Sequence, residues 1–300
     1  MANELGFIGL GAMGGRMVST LAKAGQRVIV FDSNAGAVRS AMANAGVSAA
    51  QSSAELAGKC DVLFTCLPNN EIVGEVYLGS KGIAQGGRAG LITCDCSTVS
   101  PPITKELHTA LATRHIRHMD TPMLGSTPQA ETGQIFFIVG GDEENMRAIA
   151  PYLEIMGRMH RYVGGPGAGN WIKLVHNVLG AVNSVAVAEA LAVCKKANVD
   201  LEHFYQVVKN GGGMAYSTYF DRRVPTIQKG QFDPTFTLDL MNKDVGLANQ
   251  LADQVGVPVP IWKETLATYR EAMENGWGKE DFSAVTHVIE KRIGQKISGK

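Results

Sequence analysis

Lys173 and Asn177 follow the pair Gly167-x-Gly169 in a stretch that is otherwise mostly apolar. In a helix, residues four apart lie one above the other on the same face. The two could therefore act on one bound molecule, an ammonium group moving a proton and an amide holding an oxygen without titrating. A lysine just past a Gly-rich helix start sits near the positive end of the helix dipole, which disfavours its charged form. A solvated lysine is the ordinary explanation for a single Lys. Here Trp171-Ile172 and Leu174-Val175 flank it, and a lysine among apolar neighbours needs a reason.

A second constellation opens the chain. Gly9-Leu10-Gly11-Ala12-Met13-Gly14 follows the apolar run Leu5-Gly6-Phe7-Ile8 and leads into residues 17–24, whose apolar positions recur at helical spacing. A lone G-x-G-x-x-G means little in a chain with 35 glycines. The context is what counts: a strand before, a helix after, and a second strand over 27–31 ending in Asp32, eighteen residues past Gly14. That is the layout of a dinucleotide-binding βαβ unit. Gly9 makes the tight turn, Gly11 admits a pyrophosphate to the backbone, and Gly14 lets helix and strand pack closely. The phosphates then meet the helix N-terminus. Residues 9 to 14 and Asp32 are the cofactor-binding candidates, with Leu10, Ala12 and Met13 contributing through the turn. The Asp32 carboxylate would accept the adenosine ribose hydroxyls and repel a 2′-phosphate. Ser33 and Asn34 stand next, where an arginine would pair with that phosphate, and Arg39 is placed to reach in from the following helix. NAD is the expected cofactor, ahead of NADP.

These residues need scaffolds, and the hydrophobic pattern predicts two different ones. Up to residue 164, short apolar runs at 62–66, 90–94, 116–120, 135–139 and 159–163 alternate with helical stretches. One is 101–114, with proline in its first turn, and another is 142–156, with Asp142 as N-cap. Continuous apolar strands between helices predict a largely parallel sheet covered on both faces. Gly164-Gly165-Pro166-Gly167 punctuates the change. Beyond it strand-like runs vanish. Residues 170–196 form one long helical pattern, apolar almost all round, so the helix should be buried on most sides, between domains or against a second subunit. Further helices are expected over 201–209, 216–229, 238–255, 261–275 and 281–297. The predicted architecture is α/β: a Rossmann-type dinucleotide-binding domain over 1–164, followed by an all-helical substrate and dimerisation domain over 165–300.

Composition narrows the function. Among 300 residues, 28 basic groups balance 28 acidic ones, which argues against a nucleic-acid or membrane-surface partner. No continuous apolar run approaches the length of a membrane span. The N-terminus runs into the first strand without a basic region or cleavage site, so a cytoplasmic protein is expected. The five cysteines form no paired framework, and Cys94-Asp95-Cys96 reads as small buried thiols on a strand rather than a metal or redox pair. His108, His115 and His118 lack partner ligands at zinc spacing, and no metal is expected.

Four ordered motifs carry a resemblance over essentially the whole length. They are Gly6-Phe7-Ile8-Gly9-Leu10-Gly11-Ala12-Met13-Gly14, then Asp120-Thr121-Pro122-Met123-Leu124-Gly125-Ser126 continuing to Ala130 and Gly133, then Gly167 to Asn177, and finally Lys243-Asp244-Val245-Gly246-Leu247-Ala248. The chain resembles the β-hydroxyacid dehydrogenases, which include 3-hydroxyisobutyrate dehydrogenase and semialdehyde reductases. The resemblance implies hydride transfer between the nicotinamide and a small 3-hydroxy acid or its semialdehyde, with Lys173 as general acid/base. The reference lysine pKa has to fall by about two units for that work, and burial, the dipole and the cation of Lys243 would all push it down. Asn177 would hold the substrate and Lys243 would flank the cofactor, while Asp244 braces its helix. Leu67 and Pro68 would line the nicotinamide side, and Ser97 and Thr98 would enter the same cleft, Ser97 toward substrate and Thr98 toward cofactor.

In the second motif this chain departs from the family's usual Asp-Ala-Pro-Val-Ser-Gly-Gly. Leu124 replaces the serine that grips the substrate carboxylate, and Ser126 replaces the last glycine. The N–H groups of Gly125 and Ser126 would remain as an anion nest. This variant is closest to the glyoxylate and succinic semialdehyde reductases. A small carboxylate-bearing substrate and a homodimer or homotetramer are expected. His176 reads equally as a packed helix residue or a substrate contact. Two other readings compete: an imine reductase, whose relatives generally replace the lysine, and a dinucleotide-binding module without catalysis, which would have no reason to keep Lys173, Asn177 and Lys243 together.

Overall fold

The computed structural model describes residues 4–299; Met1-Ala2-Asn3, part of the N-terminus read above, lie outside them. The chain divides into two compact units between Lys173 and Leu174.

The first unit is built on one sheet. Strands β1 (Leu5–Ile8), β2 (Val28–Phe31), β3 (Val47–Ala49), β4 (Val62–Thr65), β5 (Ile92–Asp95) and β6 (Arg117–Asp120) run parallel in the order β3-β2-β1-β4-β5-β6. Beyond β6 come β7 (Met123–Leu124), β8 (Ile135–Gly140) and β9 (Gly157–Gly164). Strand β8 is antiparallel to both β6 and β7, and β9 is parallel to β8. The unit's helices are α1 (Gly14–Lys23), α2 (Ala35–Met42), α3 (Ser53–Ala57), α4 (Asn70–Leu78), α5 (Ile83–Gly86), α6 (Pro101–Ala112), α7 (Thr127–Glu131) and α8 (Met146–Met156).

Side chains alternate across the strands, and both faces are covered. Phe7 and Phe64 join Met17, Leu21, Ile149 and Leu153 in one core, while Ile8 and Leu63 join Leu56, Tyr77, Leu107 and Leu111 in the other. The short strands β3 and β7 were not legible in the sequence because two or three residues carry too little periodicity. The direction of β8 was not legible either, since an apolar run buries equally well either way round. Asp142 does not cap α8. A short 3₁₀ turn, Glu143–Asn145, intervenes, and the Asp142 side chain makes no cap bond.

Helix α9 (Ala168–Lys196) follows β9, and the second unit continues with α10 (Leu201–Asn210), α11 (Thr218–Gln228), α12 (Leu238–Gln254), α13 (Pro260–Glu274) and α14 (Thr286–Ile293). The unit boundary lies nine residues beyond the expected 164/165, because the first turn of α9 is bonded to the sheet. The final helix is also shorter than expected. It stops at Gly294 (φ +63°), and the Glu290 carboxylate takes up the N–H groups of Ile297 and Ser298.

On α9, Leu174, Val178, Ala181, Val185, Ala188 and Leu191 are buried, whereas Ile172, Leu179 and Val193 are 46, 57 and 68% exposed. Within the single chain the helix is thus buried along one face. Contrary to the sequence expectation, it is long and apolar enough to cross a membrane (mean hydropathy 1.6). A windowed average overlooks its polar positions, whose partners lie inside the protein. Ser184 Oγ is 2.7 Å from Tyr269 Oη, and Asn177 bonds Asp244.

Candidate active site

The turn after β1 has the geometry a dinucleotide needs. Gly9 has φ +92° and donates its N–H to Phe31 O (3.0 Å), and a Cβ there would strike the carbonyl of Cys66. A Cβ on Gly14 would strike the carbonyl of Gly9. At Gly11 the surroundings are open, with no heavy atom within 4 Å of where a Cβ would stand. Two glycines are thus required by the packing, and the third leaves room for a ligand against the start of α1. Met13 precedes α1 and is half-buried, while Ala12 is exposed. Asp32 stands at the carboxyl end of β2 and accepts the N–H of Leu10 (2.6 Å) and of Asn34 (2.7 Å). Its carboxylate therefore braces the turn. Arg39 is exposed on α2, its guanidinium 3.9 Å from where a Gly36 Cβ would lie.

At the ends of β4 and β5, Leu67 lies against Gly9, with Cδ2 3.2 Å from that position's Cβ site, and Pro68 is exposed beside it. Thr98 is half-buried. Ser97, expected to face the substrate, has its hydroxyl engaged within the protein. It is 2% exposed, donates to Asp95 Oδ1 (2.5 Å) and accepts the Leu67 N–H (2.8 Å). Thr65 Oγ1 donates to the same carboxylate oxygen (2.8 Å). Ser97 fixes the loop that carries Leu67.

The second motif divides into two parts with different work. Asp120, at the end of β6, accepts the N–H of Gly167 on Oδ1 and of Asn170 on Oδ2, both at 2.9 Å. Burial pushes its carboxyl up to about 6, against the pull of those two donors. Leu124 is half-buried on β7 opposite Phe136. Gly125 is exposed with φ +137°. Of the two N–H groups expected to form an anion nest, that of Ser126 donates together with its hydroxyl to Gln129 Oε1 (2.9 and 2.7 Å) as α7 begins. The glutamine three residues on captures both, as in a capping box.

On α9, Lys173 is 9% exposed and Asn177, one turn later, 6%. Asn177 Nδ2 donates to Asp244 Oδ2 (2.6 Å), and Lys243 Nζ lies 3.1 Å from Asp244 Oδ1. Asp244 is 1% exposed, so one buried carboxylate orients the amide and balances the second lysine. Lys243 thus has the Asp244 carboxylate as a counter-charge. His176 is exposed, with Nδ1 3.1 Å from Asn177 Oδ1; it is not a packed helix residue. His118 is fully buried with Nδ1 2.9 Å from Thr93 Oγ1. Among the described residues, no three His, Cys, Asp or Glu side chains gather as metal ligands. A 290 Å³ cavity lined by His108, His115 and Asp142 lies on other residues than these.

Comparison with known proteins identifies the family. Residues 4–164 match the NAD binding domain of 6-phosphogluconate dehydrogenase, and 167–289 match the NAD-binding family of NADP-dependent 3-hydroxyisobutyrate dehydrogenase. The chain is 34% identical over 296 residues to 2-(hydroxymethyl)glutarate dehydrogenase of Eubacterium barkeri, covering 99% of this chain and 98% of that one. It belongs to the β-hydroxyacid dehydrogenase family. Another member, 3-sulfolactaldehyde reductase of Escherichia coli (strain K12), is 31% identical with 99% of each chain covered. The structure of Mycobacterium tuberculosis 3-hydroxyisobutyrate dehydrogenase with L-serine superposes with a TM-score of 0.88 at 29% identity, covering 96% of this chain and 99% of that one. An imine reductase from Pseudomonas sp., at 16% identity and a TM-score of 0.64, shares the fold. As a β-hydroxyacid dehydrogenase, the protein is an NAD(P)-dependent oxidoreductase acting on CH–OH groups.

Three positions of the site lay beyond sequence reasoning. Asp120 heads the second motif, but no spacing ties it to α9. Asn170 stands at the start of a helical pattern, and Gln129 carries no signal of its own. Each bonds a residue far along the chain or through a side-chain rotamer, and such bonds leave no periodic trace.

Proposed function

We propose that this enzyme interconverts a small, carboxylate-bearing 3-hydroxy acid and its semialdehyde with NAD(H), Lys173 carrying the proton. The observation behind the reading is a buried lysine one turn ahead of an asparagine whose amide is oriented by Asp244. The open approach at Gly11 and the Asp32 carboxylate fit a dinucleotide without a 2′-phosphate. When bound, NADH supplies the hydride. Lys173 would donate a proton to the carbonyl oxygen as it gains charge, and remove it in the oxidising direction. Asn177 retains one amide N–H beyond the one given to Asp244 and would hold that same oxygen. Lys243 would flank the cofactor, and Leu124 would form an apolar wall beside the carbon chain. Leu67, Pro68 and Thr98 would border the nicotinamide, and Gly125 would offer its N–H to the carboxylate.

The relatives named for 2-(hydroxymethyl)glutarate and 3-sulfolactaldehyde support a short acidic substrate. Lys173 argues against imine reduction as the main activity. The exposed Ile172, Leu179 and Val193 on α9 favour a homo-oligomer, and the inward-facing partners of Asn177 and Ser184 favour α9 as a helix of a soluble protein and not a membrane span. Residues 1–164 would bind the dinucleotide, and 165–300 would provide substrate contacts and the oligomer interface. Steady-state assay with succinic semialdehyde, glyoxylate, tartronate semialdehyde and a cyclic imine, each with NADH and NADPH, tests the reading. Turnover of an acidic aldehyde is expected, with NADH favoured by at least about tenfold, or ~1.4 kcal/mol. Turnover of the imine alone, or equal use of NADPH, would refute the corresponding half.

A further inference from the structure

We propose that Asp120 is a positioning residue for Lys173, its carboxylate clamping the first turn of α9 to the carboxyl end of β6 and so setting where the lysine stands. This rests on the assignment of Lys173 as the proton carrier.

Several helices in this protein are capped by the residue just before them, and others, such as α1, α6 and α12, have no side-chain cap. Asn34, Ser52, Asn69 and Asp200 each accept a backbone N–H of their own first turn. Helix α9 is held differently. Its first turn donates two N–H groups, from Gly167 and Asn170, to the two oxygens of a carboxylate 47 and 50 residues upstream. A local cap stabilises a helix but leaves it free to move with its own loop. A cap supplied by a strand of the sheet ties the helix to that sheet. Two bonds, to donors three residues apart, fix both the height of the helix and its rotation.

The surroundings are built for this clamp. Asp120 is 1% exposed and Asn170 is fully buried. A Cβ on Gly140 would run into Asp120 Oδ1, and one on Gly169 would lie 2.8 Å from Oδ2. Asn170 makes a second set of ties, accepting the Val99 N–H (3.2 Å) and donating to Thr104 Oγ1 (3.3 Å). Lys173 is three residues past Asn170, about 4.5 Å further along the axis, and belongs to the same compact unit. An error in the seating of the first turn passes directly to it. With each carboxylate oxygen bonded to this turn and the residue 1% exposed, Asp120 is assigned to positioning and not to substrate contact.

The test compares Asp120→Asn, Asp120→Ala and Gly169→Ala with Lys173→Ala, using NADH and its 4-deuterated form with the three aldehydes named above. Asp120→Ala should lower kcat by between about tenfold and a hundredfold, the range for misplacing a reacting group by about 1 Å. NADH dissociation constants should stay within about twofold, and the primary deuterium isotope effect on kcat should rise as the chemical step becomes limiting. Asp120→Asn keeps one acceptor and should recover part of the loss. Gly169→Ala removes no polar group but presses this turn off both Asp120 Oδ2 and the Ile138 carbonyl of β8, and it should reproduce the isotope effect if Asp120→Ala does not fold. Variants that melt earlier but keep wild-type kcat per folded molecule and an unchanged isotope effect would overturn the proposal, leaving Asp120 a cap alone. Normal turnover in Lys173→Ala would overturn the acid/base assignment and this proposal with it.

Discussion

Replacing Gly11 and Gly14 by alanine should separate the two kinds of work done within one turn. At Gly14 the added methyl would strike the carbonyl of Gly9 and lie 3.0 Å from Phe7 Cε1. The first of these is backbone on a buried strand end and cannot swing aside. Overpacking of that kind costs about 1–3 kcal/mol, which for a chain of this size lowers Tm by roughly 2–10 °C. At Gly11 nothing stands within 4 Å of the new methyl, and the residue is exposed. Loss of glycine freedom in the unfolded chain would leave stability unchanged or raise it by up to about 1 kcal/mol. The same methyl would occupy the space through which a pyrophosphate reaches the backbone. A loss of about 1.4–2.8 kcal/mol there weakens NADH binding roughly tenfold to a hundredfold. Thermal denaturation paired with NADH fluorescence titration reads both effects. The reasoning predicts a stable Gly11→Ala that binds poorly and an unstable Gly14→Ala. A Gly11→Ala protein with an unchanged dissociation constant would show that the pyrophosphate does not pass this point.

Lys173→Ala should lower kcat by about a hundredfold or more, the range for losing a general acid/base, with NADH affinity nearly unchanged by fluorescence titration. Leu124→Ser should improve kcat/KM for tartronate semialdehyde and weaken it for the best aldehyde of the panel; a flat profile would make Leu124 a packing residue only. Burial holds the His118 imidazole down to about 3, from an ordinary 6.5. The unfolded chain therefore takes up this proton below pH 6.5 while the folded one resists it. The stability contributed by neutral His118 is present above pH 6.5 and lost as pH falls toward 3. Between pH 7 and pH 5 that loss is about 2 kcal/mol. Asp120, pushed up to about 6, works in the opposite direction over the same interval. The comparison is therefore between wild type and His118→Gln by urea unfolding at both pH values. Equal pH dependence in the two proteins would refute the assignment to His118.

Spacing in the sequence alone determined the dinucleotide turn, the change from α/β to all-helical structure, and the juxtaposition of Lys173 with Asn177. Those features are local, since a turn, a period or an i,i+4 pair is complete within a few consecutive residues, and side-chain shape and backbone geometry decide it there. Departure from the usual second motif at Leu124 and Ser126 was likewise visible in the residues themselves. Tertiary structure decided what each polar group does with its hydrogen bonds. It turned Ser97 inward onto Asp95, gave Ser126 to Gln129, paired Lys243 with Asp244, and placed Asp120 under the first turn of α9. A donor or acceptor can be satisfied by any partner that folding brings within about 3 Å, and such partners here lie from one to some seventy residues away. Burial then makes each choice binding, because a polar group shut away from water must keep the partner it has. That is why residue type could nominate Ser97 and Ser126 as ligand contacts, and only the folded chain could show that their hydrogen bonds were already committed.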